Sequence, residues 1–135
     1  MSDADDLFDA ARAVRERAHC PYSEFQVGAA IRTTAGEVFV GCNVENASYP
    51  EGTCAEAGAI AAMVAGALER PPVISEIVTV TSGATPGTAC GGCRQRIREF
   101  ADASTVIRAM NVDGDVTTMS IDELLPDSFG PERLR

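Results

Sequence analysis

The sequence predicts an α/β fold, a three-layer α-β-α sandwich around a mixed five-stranded sheet, and three observations lead there. Segments with helical periodicity alternate with short β-branched runs, an order that covers both faces of a sheet with helices. The first two of those runs are joined by a short turn, which makes them antiparallel and the sheet mixed. The chain has 135 residues, enough for one core with little room for a second, so 1–135 reads as a single domain.

Leu7, Ala10, Ala11, Val14 and Ala18 form one stripe of an amphipathic helix from Asp3 to Ala18, and the acids at its start suit the positive end of the helix dipole. HCPYSE (19–24) reads as a turn. FQVGAAIRT (25–33) and EVFVGC (37–42) alternate as strands, with TAG as the hairpin connection. NVENASYPEGT is a polar loop, and TCAEAGAIAAMVAGAL, Thr53 to Leu68, is a helix of small apolar residues that ends before Pro71. ISEIVTVT (74–81) makes a third strand, followed by the loop SGATPGTA. CGGCRQRIREFA (90–101) is a helix and STVIRAM (104–110) a fourth strand. VDGDV turns through Asp-Gly into a short fifth strand, and SIDELL opens with a serine cap and forms a brief last helix.

Composition narrows the function. Only 5% of residues are aromatic, so small side chains build much of the core and let elements approach closely. The formal net charge of −9 repels polyanions, which excludes nucleic acid as an expected partner. Arg94, Arg96 and Arg98 form a local basic strip, read as solvated or as pairing at an interface. The acidic start MSDADDLFDA lacks the basic region of a secretory signal, and the uncharged run before Glu69 is too short to span a bilayer. The expectation is a soluble cytoplasmic protein with no membrane partner. Its five cysteines are then thiols or metal ligands rather than disulfides.

The chemistry gathers at two helix mouths. Cys90 and Cys93, three apart, face the same way, and a helix N-terminus favours thiolate over thiol. A lone C-x-x-C is equally a redox pair or half of a structural zinc site. Cys54 stands at a second helix mouth, and three thiolates on one ion leave a position for water, as catalytic zinc sites do. Cys20, Cys42 and His19 are the candidates for a fourth ligand; the first two read better as buried thiols and His19 as a loop residue. Glu56 lies two residues beyond Cys54, a turn of about 200° along a helix, so it is a poor co-ligand. From the first turn it can reach over the helix end as a proton shuttle. A carboxylate that merely complements the dipole is the bland alternative. A non-catalytic zinc-stabilised or thiol-redox module stays open as well, marked by a fourth protein ligand or by a Cys90–Cys93 disulfide.

The pairing of C-A-E with a later C-x-x-C resembles the zinc-dependent nucleobase deaminases. PYSEFQVGAA, GCNVENASYP, CGGCRQ and LLPDSFGPE resemble segments of the small homotetrameric cytidine deaminases, in the same order from about Tyr22 to Leu134. The resemblance implies Zn²⁺, one per subunit, on Cys54, Cys90 and Cys93, with Glu56 as general acid and base. It implies Asn43 and Glu45 on the ribose hydroxyls, Phe25 stacked on the base and the main chain of Ala55 on the pyrimidine edge. Tyr49 and Phe129 match aromatics that reach a site from neighbouring subunits, in a homotetramer with shared sites. The implied reaction is hydrolytic deamination of cytidine or 2′-deoxycytidine, within pyrimidine salvage. Zinc lowers the pKa of a water, Glu56 passes its proton to ring N3, C4 is hydroxylated and ammonia leaves.

Two departures stand out. Ala89 occupies the usual place of a proline, which removes some loop rigidity but no ligand. Ala57 occupies the usual place of an arginine that offsets the net negative charge of three thiolates on Zn²⁺. Arg94, beside Cys93, is expected to tune that charge instead, with the helix mouths or a neutral donor such as Thr53 assisting. Ala57 also sustains a runner-up, a related aminohydrolase acting on a modified cytosine nucleoside or another cytosine-bearing compound.

Overall fold

The computed structural model describes residues 3–134, so Met1, Ser2 and Arg135 of the expected domain lie outside the described residues. The strands are β1 (Gly28–Thr33), β2 (Val38–Cys42), β3 (Ile74–Thr81), β4 (Val106–Asn111) and β5 (Val116–Met119). They form one sheet in the order β2-β1-β3-β4-β5. Strand β1 is antiparallel to both β2 and β3, β3 is parallel to β4, and β4 is antiparallel to β5, so the sheet is mixed as expected. The helices are α1 (Asp3–Arg15), α2 (Ala55–Gly66), α3 (Gly91–Phe100) and α4 (Ile121–Leu124).

Period-2 alternation sorts the sheet residues between two cores. Ala30, Val78, Val80 and Met110 meet Leu7 and Ala11 of α1 on one face. Ala29, Ile31, Ile77 and Ile107 turn the other way, against Ala59 and Met63 of α2, Ile97 of α3 and Leu124 of α4. This is the three-layer sandwich. Two glycines allow the helices to lie directly on strand backbone. A Cβ at Gly41 would stand 2.6 Å from the Ala55 carbonyl oxygen, so only glycine lets β2 touch the start of α2. A Cβ at Gly28 would stand 2.8 Å from the Arg15 backbone nitrogen, the same arrangement with α1 on the opposite face.

Two boundaries differ most from expectation, each for a local reason. Helix α1 stops at Arg15 because residues 16–18 tighten into three-residue bonds, such as Arg17 N–H to Val14 O at 2.9 Å. The chain is then drawn sideways, with the His19 N–H bonded to Asn43 O at 3.0 Å. Strand β1 begins at Gly28 rather than Phe25, because a side chain, Asn43, takes the bonds a neighbouring strand would otherwise make there. The serine cap of α4 forms as a full capping box: Glu123 N–H donates to Ser120 Oγ, and Ser120 N–H to Glu123 Oε1 at 3.0 Å.

Arg98, the last residue of the arginine strip of α3, is partnered within the chain rather than solvated. Arg98 donates to Ser128 Oγ at 2.8 Å and pairs with Glu132 at 2.6 Å, tying the C-terminal segment to the helix.

Candidate active site

Helices α2 and α3 each begin from a cysteine. Cys54 and Cys90 are their N-cap residues, in extended conformation, and neither side chain caps its own helix. Their sulfurs are therefore directed across the gap between the helices. Cys93 sits one turn into α3 and is fully buried. The three Sγ atoms lie within 4.8 Å of one another, with Cys54 and Cys90 3.9 Å apart. Tetrahedral bonds of about 2.3 Å would hold the sulfurs of a zinc site about 3.8 Å apart, so the trio fits the ion with a small contraction. Among the described residues no His, Asp or Glu, and neither Cys20 nor Cys42, joins the cluster. Three protein ligands and a free corner match a catalytic site rather than a structural one.

The helix mouths do not make all three sulfurs acidic, contrary to the dipole argument. Burial pushes the Cys54 thiol up, and so does its acidic neighbour Cys90. Burial raises Cys93 further, reinforced by the charges of Glu56 and Cys54. Only Cys90 is held down, chiefly by a hydrogen bond from the Cys93 backbone N–H. Desolvation and mutual repulsion outweigh the helix ends. A divalent cation reverses that balance by neutralising the sulfurs it binds.

Glu56 is 5% exposed in the first turn of α2. Burial raises its carboxyl above the ordinary range, while its own backbone N–H, the Cys93 thiol and the Arg96 charge pull it back. A carboxyl so placed exchanges a proton more readily near neutrality than an exposed one.

Beside this corner is a cavity of about 440 Å³ whose wall includes Cys54, Ala55, Glu56 and Cys90. Phe25, Asn43, Glu45 and Tyr49 line the same cavity. Phe25 is exposed, with its ring available to a flat ligand. Asn43 Oδ1 accepts the Val27 N–H at 2.9 Å and its Nδ2 donates to Phe25 O at 2.8 Å. Glu45 accepts the Tyr22 and Ser23 backbone N–H groups at 3.0 and 3.1 Å, and the Ser23 hydroxyl closes the pair. That hydroxyl, then the Ser23 amide, holds the Glu45 carboxyl below its usual range, so it is ionised at neutral pH. Tyr49, whose ring meets Tyr22 edge-on at 5.6 Å, lies at the rim of its own chain's cavity.

Two expected site residues lie apart from the cavity. Phe129 is exposed, and its carbonyl accepts from Gln95 Nε2 at 2.8 Å. Arg94 directs Nε to Ala89 O, Nη1 to Leu124 O and Nη2 to Thr88 Oγ1 at 2.7, 2.8 and 3.2 Å, and so braces the loop before α3. The guanidinium on a sulfur belongs to Arg96, with Nη1 3.6 Å from Cys93 Sγ. Residue i+3 on a helix faces residue i, whereas i+1 is turned about 100° away.

Thr79 and Thr81 were not anticipated and line the cavity floor. Thr81 Oγ1 accepts the Gly87 N–H at 2.9 Å, fixing the loop that delivers Cys90. Their signal was the alternation V-T-V-T, which places hydroxyls at the end of an otherwise apolar central strand.

Comparison with known proteins agrees with this geometry. The family model described as the cytidine and deoxycytidylate deaminase zinc-binding region matches residues 1–110. A cytidine deaminase from Sporosarcina psychrophila is 36% identical over 132 residues, covering 98% of this chain and 95% of its own. One from Halalkalibacterium halodurans is 40% identical over 126 residues, 93% of each chain. The crystal structure of cytidine deaminase from Burkholderia pseudomallei superposes with a TM-score of 0.87 at 43% identity, covering 96% of this chain and all of that one. The chain belongs to the cytidine and deoxycytidylate deaminase zinc-binding family.

Proposed function

We propose that this chain hydrolyses cytidine and 2′-deoxycytidine to the corresponding uridines, releasing ammonia. The observation that carries the reading is one cavity that brings Phe25, Asn43 and Glu45 together with buried Glu56 and two sulfurs of the three-cysteine cluster. Cys54, Cys90 and Cys93 hold Zn²⁺, which when bound supplies a Lewis acid that ionises water near neutrality. Glu56 takes one proton from the attacking water and delivers it to N3 of the base. It then takes the proton of the new C4 hydroxyl and passes it to the departing amine, so that C4 is left as the uridine carbonyl and ammonia leaves. Its burial excludes the bulk water that would compete for that proton. The Ala55 main chain meets the pyrimidine edge and the Phe25 ring stacks on the base.

Glu45 is kept ionised by Ser23 and accepts ribose hydroxyls. Asn43 retains one amide hydrogen beyond its bond to Phe25 and offers it beside Glu45. The cavity wall carries Glu45 and Glu56 but neither Lys nor Arg, which favours a neutral nucleoside over a phosphorylated one. The runner-up, a modified cytosine-bearing compound, is not favoured, because relatives aligned along nearly the whole chain are cytidine deaminases. A purely structural zinc module would call for a fourth protein ligand, and none of the described residues supplies one; a redox module would call for a Cys90–Cys93 disulfide, and both cysteines are free thiols.

The assembly is read from the face of α2. Ala61, Ala62, Val64 and Ala65 are exposed on a helix that carries no charge after Glu56, a surface suited to close packing between copies in a homotetramer. Exposed Tyr49 and Phe129 are the aromatics available to neighbouring sites in it. No described helix is long and apolar enough to cross a membrane.

The test is ammonia release by zinc-quantified protein from cytidine, 2′-deoxycytidine, cytosine and cytidine 5′-monophosphate. Turnover of the two nucleosides well above the other compounds supports the reading; free cytosine turned over better than cytidine would remove the roles given to Asn43 and Glu45.

A further inference from the structure

We propose that Arg96 is a positioning residue for the zinc centre, its guanidinium offsetting the charge of the three-thiolate site through Cys93. The inference rests on the zinc reading above. Three thiolates on a dication leave a net negative charge, which weakens the hold on the third sulfur and opposes ionisation of a ligand water. A cation within reach of a sulfur relieves both. The residue after Glu56 is Ala57 and offers none, while Arg94 has all three guanidinium nitrogens on Ala89, Leu124 and Thr88.

Arg96 has the required geometry. Its Nη1 lies 3.6 Å from Cys93 Sγ, within N–H to sulfur range. The guanidinium folds back over the first turn of α3, and Gly92 leaves it room: a Cβ there would stand 3.0 Å from Nη1. A guanidinium stays charged at every accessible pH and presents several donors, so it can bond a thiolate without exchanging a proton with it. Helix geometry supplies a second argument. Arg96 follows Cys93 by three residues within α3 and shares its helix face, while Ala57 is the third residue of α2, the position whose side chain reaches back to the N-cap Cys54, so an arginine there would also stand beside a sulfur. The chain has placed on α3 the charge that α2 lacks.

Arg96 is exposed overall, so salt screens part of its effect. Partners of metal ligands typically contribute 10–100-fold to metal affinity, and about tenfold is expected here. The experiment titrates zinc-loaded full-length protein with a chromogenic zinc chelator at low and high salt, for wild type, Arg96→Gln and the double variant Ala57→Arg/Arg96→Gln. Melting of the metal-free proteins is followed in parallel. The expected result is zinc loss from Arg96→Gln at about tenfold lower chelator, a gap that narrows with salt, unchanged metal-free melting and recovery in the double variant. Equal zinc retention in Arg96→Gln overturns the proposal. So does lower melting of metal-free Arg96→Gln, or a double variant that melts normally yet holds zinc no better. A wild type that itself retains no zinc would instead remove the zinc reading.

Discussion

The Sγ atoms of Cys54 and Cys90, N-cap residues of different helices, stand 3.9 Å apart across the inner wall of one cavity. Neither helix alone makes the site. It exists because α2 and α3 lie side by side on one sheet face and direct their first turns at the same point.

Zinc uptake should displace protons. Burial keeps the Cys54 and Cys93 thiols above their usual range, so both are protonated at pH 7 in metal-free protein and both must ionise to bind. At least two protons per zinc are expected in a weakly buffered indicator assay at pH 7. The sign follows: a raised thiol pKa makes zinc affinity climb with pH through neutrality and fall on acidification. Uptake without proton release would contradict the assigned ligands.

Asn43 braces the cavity wall and also faces the ligand. Asn43→Ala strips a partner from the half-buried Val27 N–H, a loss of about 1–2 kcal/mol, and from the exposed Phe25 carbonyl, which water resolvates at smaller cost. Asn43→Asp keeps the acceptor for Val27 but sets a carboxylate against the Phe25 carbonyl. Melting should therefore fall in both variants, and KM for cytidine should rise in both. An Asn43→Ala protein with unchanged melting and KM would remove both roles.

The backbone contact between β2 and α2 should tolerate nothing larger than glycine. Gly41→Ala places a methyl against the Ala55 carbonyl and the Ala59 amide and is expected to cost about 1–3 kcal/mol. Because Ala55 follows Cys54, zinc retention should fall along with melting. Wild-type melting in this variant would mean the helix stands further from the strand.

The layers and the metal ligands were legible because their signals are local. The strand alternation names the two sheet faces, and Cys90 with Cys93 shares a helix face by spacing alone. The convergence of Cys54 on that pair is a long-range fact: its place at a second helix mouth suggested it, and the family resemblance supported it. Arg94 was favoured as the charge-tuning residue on adjacency to Cys93, yet rotation along the helix carries it to Leu124 and brings Arg96 round to the sulfur. The bonds of Asn43 and Glu45 to the 22–27 segment stayed hidden because they join loops whose pairing no periodicity records. The acidity of the cysteines was misjudged for Cys54 and Cys93, since the extent of burial is a property of the whole fold.

The most direct test of the account is Glu56→Gln, assayed for zinc content and cytidine turnover on the same sample. Glu56 stands outside the sulfur cluster, so the variant should hold zinc like the wild type. It should lose kcat by on the order of 10²–10⁴-fold, the typical worth of a positioned proton transfer. Full zinc with undiminished turnover would contradict the central claim.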